Sequence, residues 1–167
     1  MKAKLIVEGR EFPIEIQDPE LQKLLAPKKK TGYERVELGQ YYYTDAATNA
    51  GDAKELNDDM DDRLYAGADY YSDKTVAENN CRADRLMRQI RRFAVEHRKT
   101  ELNWNDRNQE KYCIIYAHYS NDLAVVTEVS IQRFGGIYFD SHEVASLAAK
   151  TFHDELIWYF TEYRDSL

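Results

Sequence analysis

Gly135–Phe160, GGIYFDSHEVASLAAKTFHDELIWYF, is the stretch from which the fold is read. Ile137-Tyr138-Phe139 has the apolar, aromatic character of a strand end. Asp140 or Ser141 is placed to cap the helix that follows, because a short oxygen-bearing side chain can accept the first free amides. A long helix then runs to Phe160. The stretch GADYYSDKTVAENNC, beginning at Gly67, repeats this logic 68 residues earlier. At that offset Gly67, Tyr70, Tyr71, Val76 and Ala77 fall on Gly135, Tyr138, Phe139, Val144 and Ala145. The match predicts a duplicated strand-then-helix unit, with both valines buried in the first turn of their helices. It is a statement about architecture and carries no chemistry.

The chain of 167 residues suits one domain with a small appendage and can bury a real core. Its apolar share of 43% is that of an ordinary globular protein, so wholesale disorder is not expected. Thirteen tyrosines carry most of an aromatic share of 13%, which suits a sheet with wet edges or a binding surface. The net charge of −7 argues against a nucleic-acid binder built on global attraction, and direct binding to duplex DNA is not expected. It permits a protein that imitates nucleic acid. Cys81 and Cys113 fall in a predicted helix and a predicted strand, where both read as buried thiols. Two such cysteines make no disulfide framework. The N-terminal MKAKLIVEGREF lacks the shape of a signal peptide and no segment is long and apolar enough for a membrane span. The expected compartment is the cytoplasm.

Working outward along the chain, Lys4–Val7 and Phe12–Ile16 flank Glu8-Gly9-Arg10 as a β-hairpin, with Pro13 marking an edge strand. Asp18 caps a short helix with Pro19 at its first position, ending near Pro27. This hairpin-helix, residues 1–27, is too small to fold alone and needs the remainder of the chain or a second copy, which would make a homodimer. Residues 28–32 read as a linker and 33–167 as the main domain, with repeat units of about 33–100 and 101–167. Within it, Glu34–Thr44 reads as a hairpin turning at Gly39, Asp45–Asp62 as a solvated loop, and Leu64–Tyr71 as a strand. Val76, Ala83, Leu86, Met87, Ile90, Phe93 and Ala94 recur at helical spacing over Lys74–Arg98. Trp104 anchors a polar connector, and Lys111–Tyr119 and Ala124–Phe134 are strands. The fold class is α+β: an antiparallel sheet with two long helices from the duplicated unit, plus the N-terminal hairpin and short helix.

Two charged clusters are the candidate sites. Asp52, Glu55, Asp58, Asp59, Asp61 and Asp62 can present carboxylates to a basic partner as phosphate mimics, or form a merely solvated face. They lack the spacing and central glycine of an EF-hand. Arg85, Arg88 and Arg92 share one helix face that can hold phosphate, or can pair internally with the acidic loop. The histidines and cysteines do not fall at metal-ligand spacing, so no metal and no cofactor is expected. Ser141-His142-Glu143 is capping chemistry, not a triad, because neighbours at a helix start point apart. No catalytic residue is assigned, and the chain is read as non-enzymatic.

The runs Tyr33–Tyr43, Gly67–Glu78, Ile90–His97, Asn103–Tyr116 and Ile137–Ala145, in that order, form a recognisable series. Over about residues 31 to 160 the chain resembles a widespread group of small proteins encoded by phages and prophages of Gram-positive bacteria. The resemblance implies a phage accessory protein that binds and inhibits a host defence protein, such as a nucleic-acid-guided nuclease of a CRISPR system. It transfers no site residues. Two other readings stand beside it: a nucleic-acid-binding or regulatory protein using the arginine helix, and a sponge or enzyme for a nucleotide immune signal.

Overall fold

The computed structural model describes residues 2–7, 10–21, 30–44 and 49–163, with side chains described from residue 10 onward. The chain divides into two compact units, Met1–Thr31 and Gly32–Leu167. In the first, β1 (Lys2–Val7) and β2 (Arg10–Glu15) pair antiparallel, from Lys2 opposite Glu15 to Val7 opposite Arg10. Asp18 then accepts the amides of Glu20 and Leu21 at 2.8 and 3.2 Å, the expected cap of a helical turn starting at Pro19. The turn at Gly9, the end of that helix at Pro27 and the first two residues of the 28–32 linker lie outside the described residues.

The second unit holds two hairpins, each with its own helix. β3 (Gln40–Thr44) pairs with β4 (Ala50–Lys54), and α1 (Asp59–Ala66) follows. The long helix α2 (Lys74–Glu96) comes next. β5 (Lys111–Ala117) then pairs with β6 (Asp122–Glu128), and Asn121, at φ 53°, takes the left-handed position in the tight turn between them. α3 (His142–Thr151) and α4 (His153–Trp158) close the unit, ending in a π-helical turn over Tyr159–Tyr163. The architecture is α+β with antiparallel pairing, as expected. The single continuous sheet is replaced by separate two-stranded ladders.

A third strand touches each hairpin of this unit at one residue. Tyr42 and Tyr71 exchange backbone hydrogen bonds of 2.8 Å, and Tyr112 and Phe139 do the same at 3.0 and 2.8 Å. Tyr71 and Phe139 are 68 positions apart, as are the helix caps Asp73 and Ser141 and the fully buried Ala77 and Ala145. Asp140 is not the cap. It accepts the amides of Lys99 and Thr100 at 2.6 and 2.8 Å and so holds the exit of α2 against the start of α3. The two valines differ: Val144 is buried, whereas Val76 is only partly covered and lies over Gly32, where an added Cβ would sit 2.6 Å from its Cγ2.

α2 is the spine of this unit, about 34 Å long at 1.5 Å per residue. Its first half packs Ala77 and Cys81 toward the tyrosine-rich first hairpin, where Tyr41, Tyr70 and Tyr71 are buried. Its second half packs Leu86, Ile90 and Ala94 into a core with Phe139, Val144, Ala148 and Leu156. Cys81 and Cys113 are buried free thiols.

Four expectations are corrected. The 34–44 stretch contributes one strand, with its partner beyond Thr44. Asp45–Asp62 is not a loop throughout, since β4 and the first turn of α1 lie within it. Leu64–Tyr71 is not a strand: α1 runs to Ala66 and only Tyr71 pairs. The closing helix is not continuous. Thr151 Oγ1 donates back to Leu147 O at 2.8 Å, a contact that bends helices, and Phe152 leaves helical geometry at φ −108°, ψ 21°.

Candidate functional site

The acidic segment is organised from beneath by two stacked tyrosines. Tyr41, on β3, and Tyr70, just before the bridging residue, lie 4.1 Å apart and nearly parallel. Tyr41 Oη donates to Asp61 at 2.8 Å and Tyr70 Oη to Glu55 at 2.5 Å. Both carboxylates are 3% exposed. Glu55 also receives Arg35 through Nη2 at 2.8 Å and Nε at 3.3 Å, and the Asn57 amide at 3.1 Å. Arg35 and then Tyr70 outweigh the opposing effect of burial and hold the Glu55 carboxyl below its ordinary range. For Asp61, burial pushes upward most strongly. The Leu56 amide, the Tyr41 hydroxyl and the Asp58 amide together overcome it, so this carboxyl is lowered too. Burial, followed by the bond to Glu55, pushes Tyr70 up to about 12, so it stays a donor at neutral pH.

Asp58 caps α1 by accepting the amides of Met60 and Asp61 at 2.8 and 3.1 Å, while Asp61 reaches back to the Asp58 amide at 3.2 Å. This reciprocal capping box fixes the corner that Asn57 turns at φ 55°. Of the six carboxylates read as partner-binding, Glu55 and Asp61 therefore face inward and cannot meet a partner. Asp52, Asp58, Asp59 and Asp62 are exposed. Asp52 accepts from Gln40 at 2.7 Å, and Asp62 pairs with Arg35 at 2.5 Å.

Three large apolar side chains stand outward beside these acids. Leu38 is 85% exposed, Leu56 71% and Met60 57%. The Glu55 amide donates to Gly39 O at 2.9 Å and the Leu56 amide to Asp61 at 2.7 Å, so the segments bearing all three are drawn to one corner. These segments also carry the exposed acids Glu37, Asp58, Asp59 and Asp62. Exposed apolar groups of this kind mark contact surfaces when they are clustered and rimmed by polar residues.

The arginine helix is less organised. Arg85, Arg88 and Arg92 are all exposed on α2, and Arg92 approaches Glu96 at 3.6 Å. Arg35 pairs internally with the acidic segment, at Glu55 and Asp62. Arg82, one turn earlier, grips Glu155 through two bonds of 2.8 and 3.0 Å, with its guanidinium 3.8 Å from the centre of the Trp158 ring. Lys111 is fully buried, and its ammonium donates to three backbone carbonyls, those of Asp106, Gln109 and Val129, at 2.8–3.2 Å. Trp104 lies between it and Tyr138, edge to face with the tyrosine at 4.8 Å. Sequence reading missed Arg35, Arg82 and Lys111. Each sits in an ordinary polar context, and only the fold supplies its partners.

Among the described residues no three His, Cys, Asp or Glu side chains gather as metal ligands, and no helix is long and apolar enough to cross a membrane. Comparison with family models, curated proteins and solved structures returned no match.

Proposed function

We propose that the chain is a non-catalytic binding protein that blocks a bacterial defence protein, with the Leu38–Leu56–Met60 corner as its contact surface. The observation that carries this reading is the exposure of Leu38, Leu56 and Met60 beside exposed carboxylates, on segments tied together by hydrogen bonds through Tyr41, Tyr70, Glu55 and Asp61. Preorganisation lowers the entropic cost of binding, and exposed carboxylates on a chain of net charge −7 favour a basic partner. The resemblance to phage accessory proteins supplies the class of target: a nucleic-acid-guided nuclease of the CRISPR type, whose channel is basic, met in the bacterial cytoplasm. A nucleotide signal is a poorer fit. Arg133, which lines a groove along residues 113–116, has two of its nitrogens on Glu128, at 2.6 and 3.2 Å.

The two hairpin–bridge–helix modules are further read as a duplication, supported by the paired positions Tyr71/Phe139, Asp73/Ser141 and Ala77/Ala145. A chimera carrying residues 71–77 in place of 139–145 should still unfold cooperatively. Loss of the fold would count against equivalence of the modules.

The test of function begins with capture of the partner from bacterial lysate and continues with the purified pair. Leu56→Ser with Met60→Ser should slow nothing but raise dissociation. Asp59→Asn with Asp62→Asn should chiefly slow association and flatten its salt dependence. Unchanged binding by both double variants removes this surface from the reading. A gel shift on duplex DNA that disappears when Arg88 and Arg92 are replaced would favour the regulatory alternative instead.

A further inference from the structure

Phe134 is 110% exposed, the most open large apolar side chain among the described residues, yet the segment that bears it is tied down. Arg133-Phe134-Gly135-Gly136 closes as a β-turn, with the Gly136 amide donating to Arg133 O at 2.9 Å. Gly135, third in the turn, sits at φ 73°, which a type II turn requires there and glycine takes without strain. Both flanks are braced. The Arg133 amide donates to the buried Tyr138 at Oη, 2.6 Å, and that hydroxyl donates to Ile131 O at 3.4 Å. The Arg133 guanidinium holds Glu128 at 2.6 and 3.2 Å. Ile131, on the same segment, is 57% exposed. A bulky ring left in water on a braced turn has little freedom to lose on contact beyond its own two torsions.

The same turn forms one lip of a groove of about 410 Å³. Met87, Ile90, Leu156 and Phe160 line it on the helix side, with Ile114 and Ile137 across from one another. A cavity of about 150 Å³ is enough to hold a benzene ring, so a phenyl group fits this groove with room to spare. The residues that line it include no aspartate or glutamate, on a chain carrying 30 of them, and Arg133 in its wall is already paired. The face is therefore apolar and close to neutral. It offers nothing to a basic partner, and it is where a second chain of net charge −7 meets little local repulsion. A two-fold contact uses one patch on both subunits, so that patch must carry a projection and the hollow that receives it. Phe134 and the groove meet that condition on a single lip.

We propose that a second copy of this chain fills the groove, each copy placing its Phe134 ring in the groove of the other about a two-fold axis. Each ring buries about 150–250 Å². With the walls it covers and Ile131 beside it, the contact totals roughly 1,000 Å², the lower bound of a specific interface, so the dimer is weak and half-formed at about 100 µM chain. The surface belongs to the second module, and the proposal does not rest on the acidic corner.

The test begins with sedimentation velocity of the full chain from about 10 µM to about 1 mM, which brackets the expected constant. The mass should rise to that of a dimer across this range. Association should tighten with salt, because screening removes repulsion between two acidic chains, the opposite sign to binding of a basic partner. Phe134→Ser should weaken it at least tenfold, and the ring it removes has no cover in the fold to lose. In a mixture of carbon-13-labelled and unlabelled chain, isotope-filtered NOEs should join the Phe134 ring of one copy to the Ile114, Ile137 and Leu156 methyls of the other. The Phe134→Ser chain titrated with N-acetyl-L-phenylalaninamide should show shifts at the same methyls, which reports on the groove without dimerisation. A chain that stays monomeric at about 1 mM overturns the proposal. So does a dimer that Phe134→Ser leaves intact or that lacks those NOEs, since another surface would then hold it.

Discussion

Tyr41→Phe removes one oxygen from the centre of the first module and leaves the ring where it was. The stack on Tyr70 at 4.1 Å and the burial of the ring are preserved, so the change isolates the hydroxyl bond to Asp61. A hydrogen bond to a charged acceptor contributes about 1.5–3 kcal/mol, and Asp61 would keep only its two amide donors. The expected loss is therefore about 1.5–3 kcal/mol at pH 7, or a fall in Tm of roughly 4–10 °C for a chain of this size. The pH dependence supplies a second signature. The folded Asp61 carboxyl is held below its ordinary value, so its contribution is complete above the unfolded pKa and is lost as pH falls through the folded one. Without the Tyr41 hydroxyl the folded value rises, and the acid limb of the stability curve moves to higher pH. The gap between wild type and variant should then narrow below about pH 4, where the carboxyl protonates in either state. Urea denaturation followed by tryptophan fluorescence, at pH 7 and at several acid pH values, measures both. A variant within 0.5 kcal/mol of wild type, by the order expected of inert surface changes, or a gap indifferent to pH, would refute the reasoning.

Three further outcomes follow from the packing. Trp104→Ala should cost about 3 kcal/mol, the low end for a large aromatic because the indole is only half-buried, and an unchanged melting temperature would make it an exposed contact instead. Gly32→Ala should destabilise by more than about 2 kcal/mol, because it combines a left-handed backbone with a clash on Val76, whereas Gly135→Ala, with open space around it, should cost only about 1 kcal/mol; equal losses in thermal melts would contradict the geometry. His153, raised by Asp154 and then Asp122, contributes its stability in full below its ordinary value and loses it as pH rises through the folded one. The stability difference between wild type and His153→Gln should accordingly shrink between neutral and alkaline pH, as read by melting temperature.

The parts of the fold that local chemistry dictates were legible. Asp18 caps as expected and the cap of α3 falls on Ser141, one of the two residues offered, because a short oxygen precedes each helical run; the apolar stripe of α2 needs nothing beyond its own spacing. The offset of 68 residues set Tyr71 on Phe139, though nothing in the match said that either residue pairs with a hairpin. The misreadings have physical causes too. α1 begins with a capping box whose third position is Asp61, not the usual glutamate or glutamine, and its first turn is so acidic that it reads as solvent. Glu55 and Asp61 looked exposed because counting charges does not reveal that Arg35 and two tyrosines converge on them from elsewhere in the chain. The break at Phe152 has no glycine or proline to announce it. Only half of the acidic site's logic, the outward carboxylates, was available without knowing which way each side chain faces.

The double service of α2 has a consequence for how the protein is made. When its last residue leaves the ribosome, the first hairpin is already available to cover Ala77 and Cys81. The buried partners of Leu86, Ile90 and Ala94, among them Phe139, Val144 and Leu156, are still to be synthesised. At typical elongation rates those roughly 60 residues take on the order of 3–12 s. During that interval half of the spine is an incompletely covered apolar helix on a nascent chain. The stretch of biosynthesis between Glu96 and Leu156 is thus the period in which chaperones, or premature association with another nascent copy, have their opportunity.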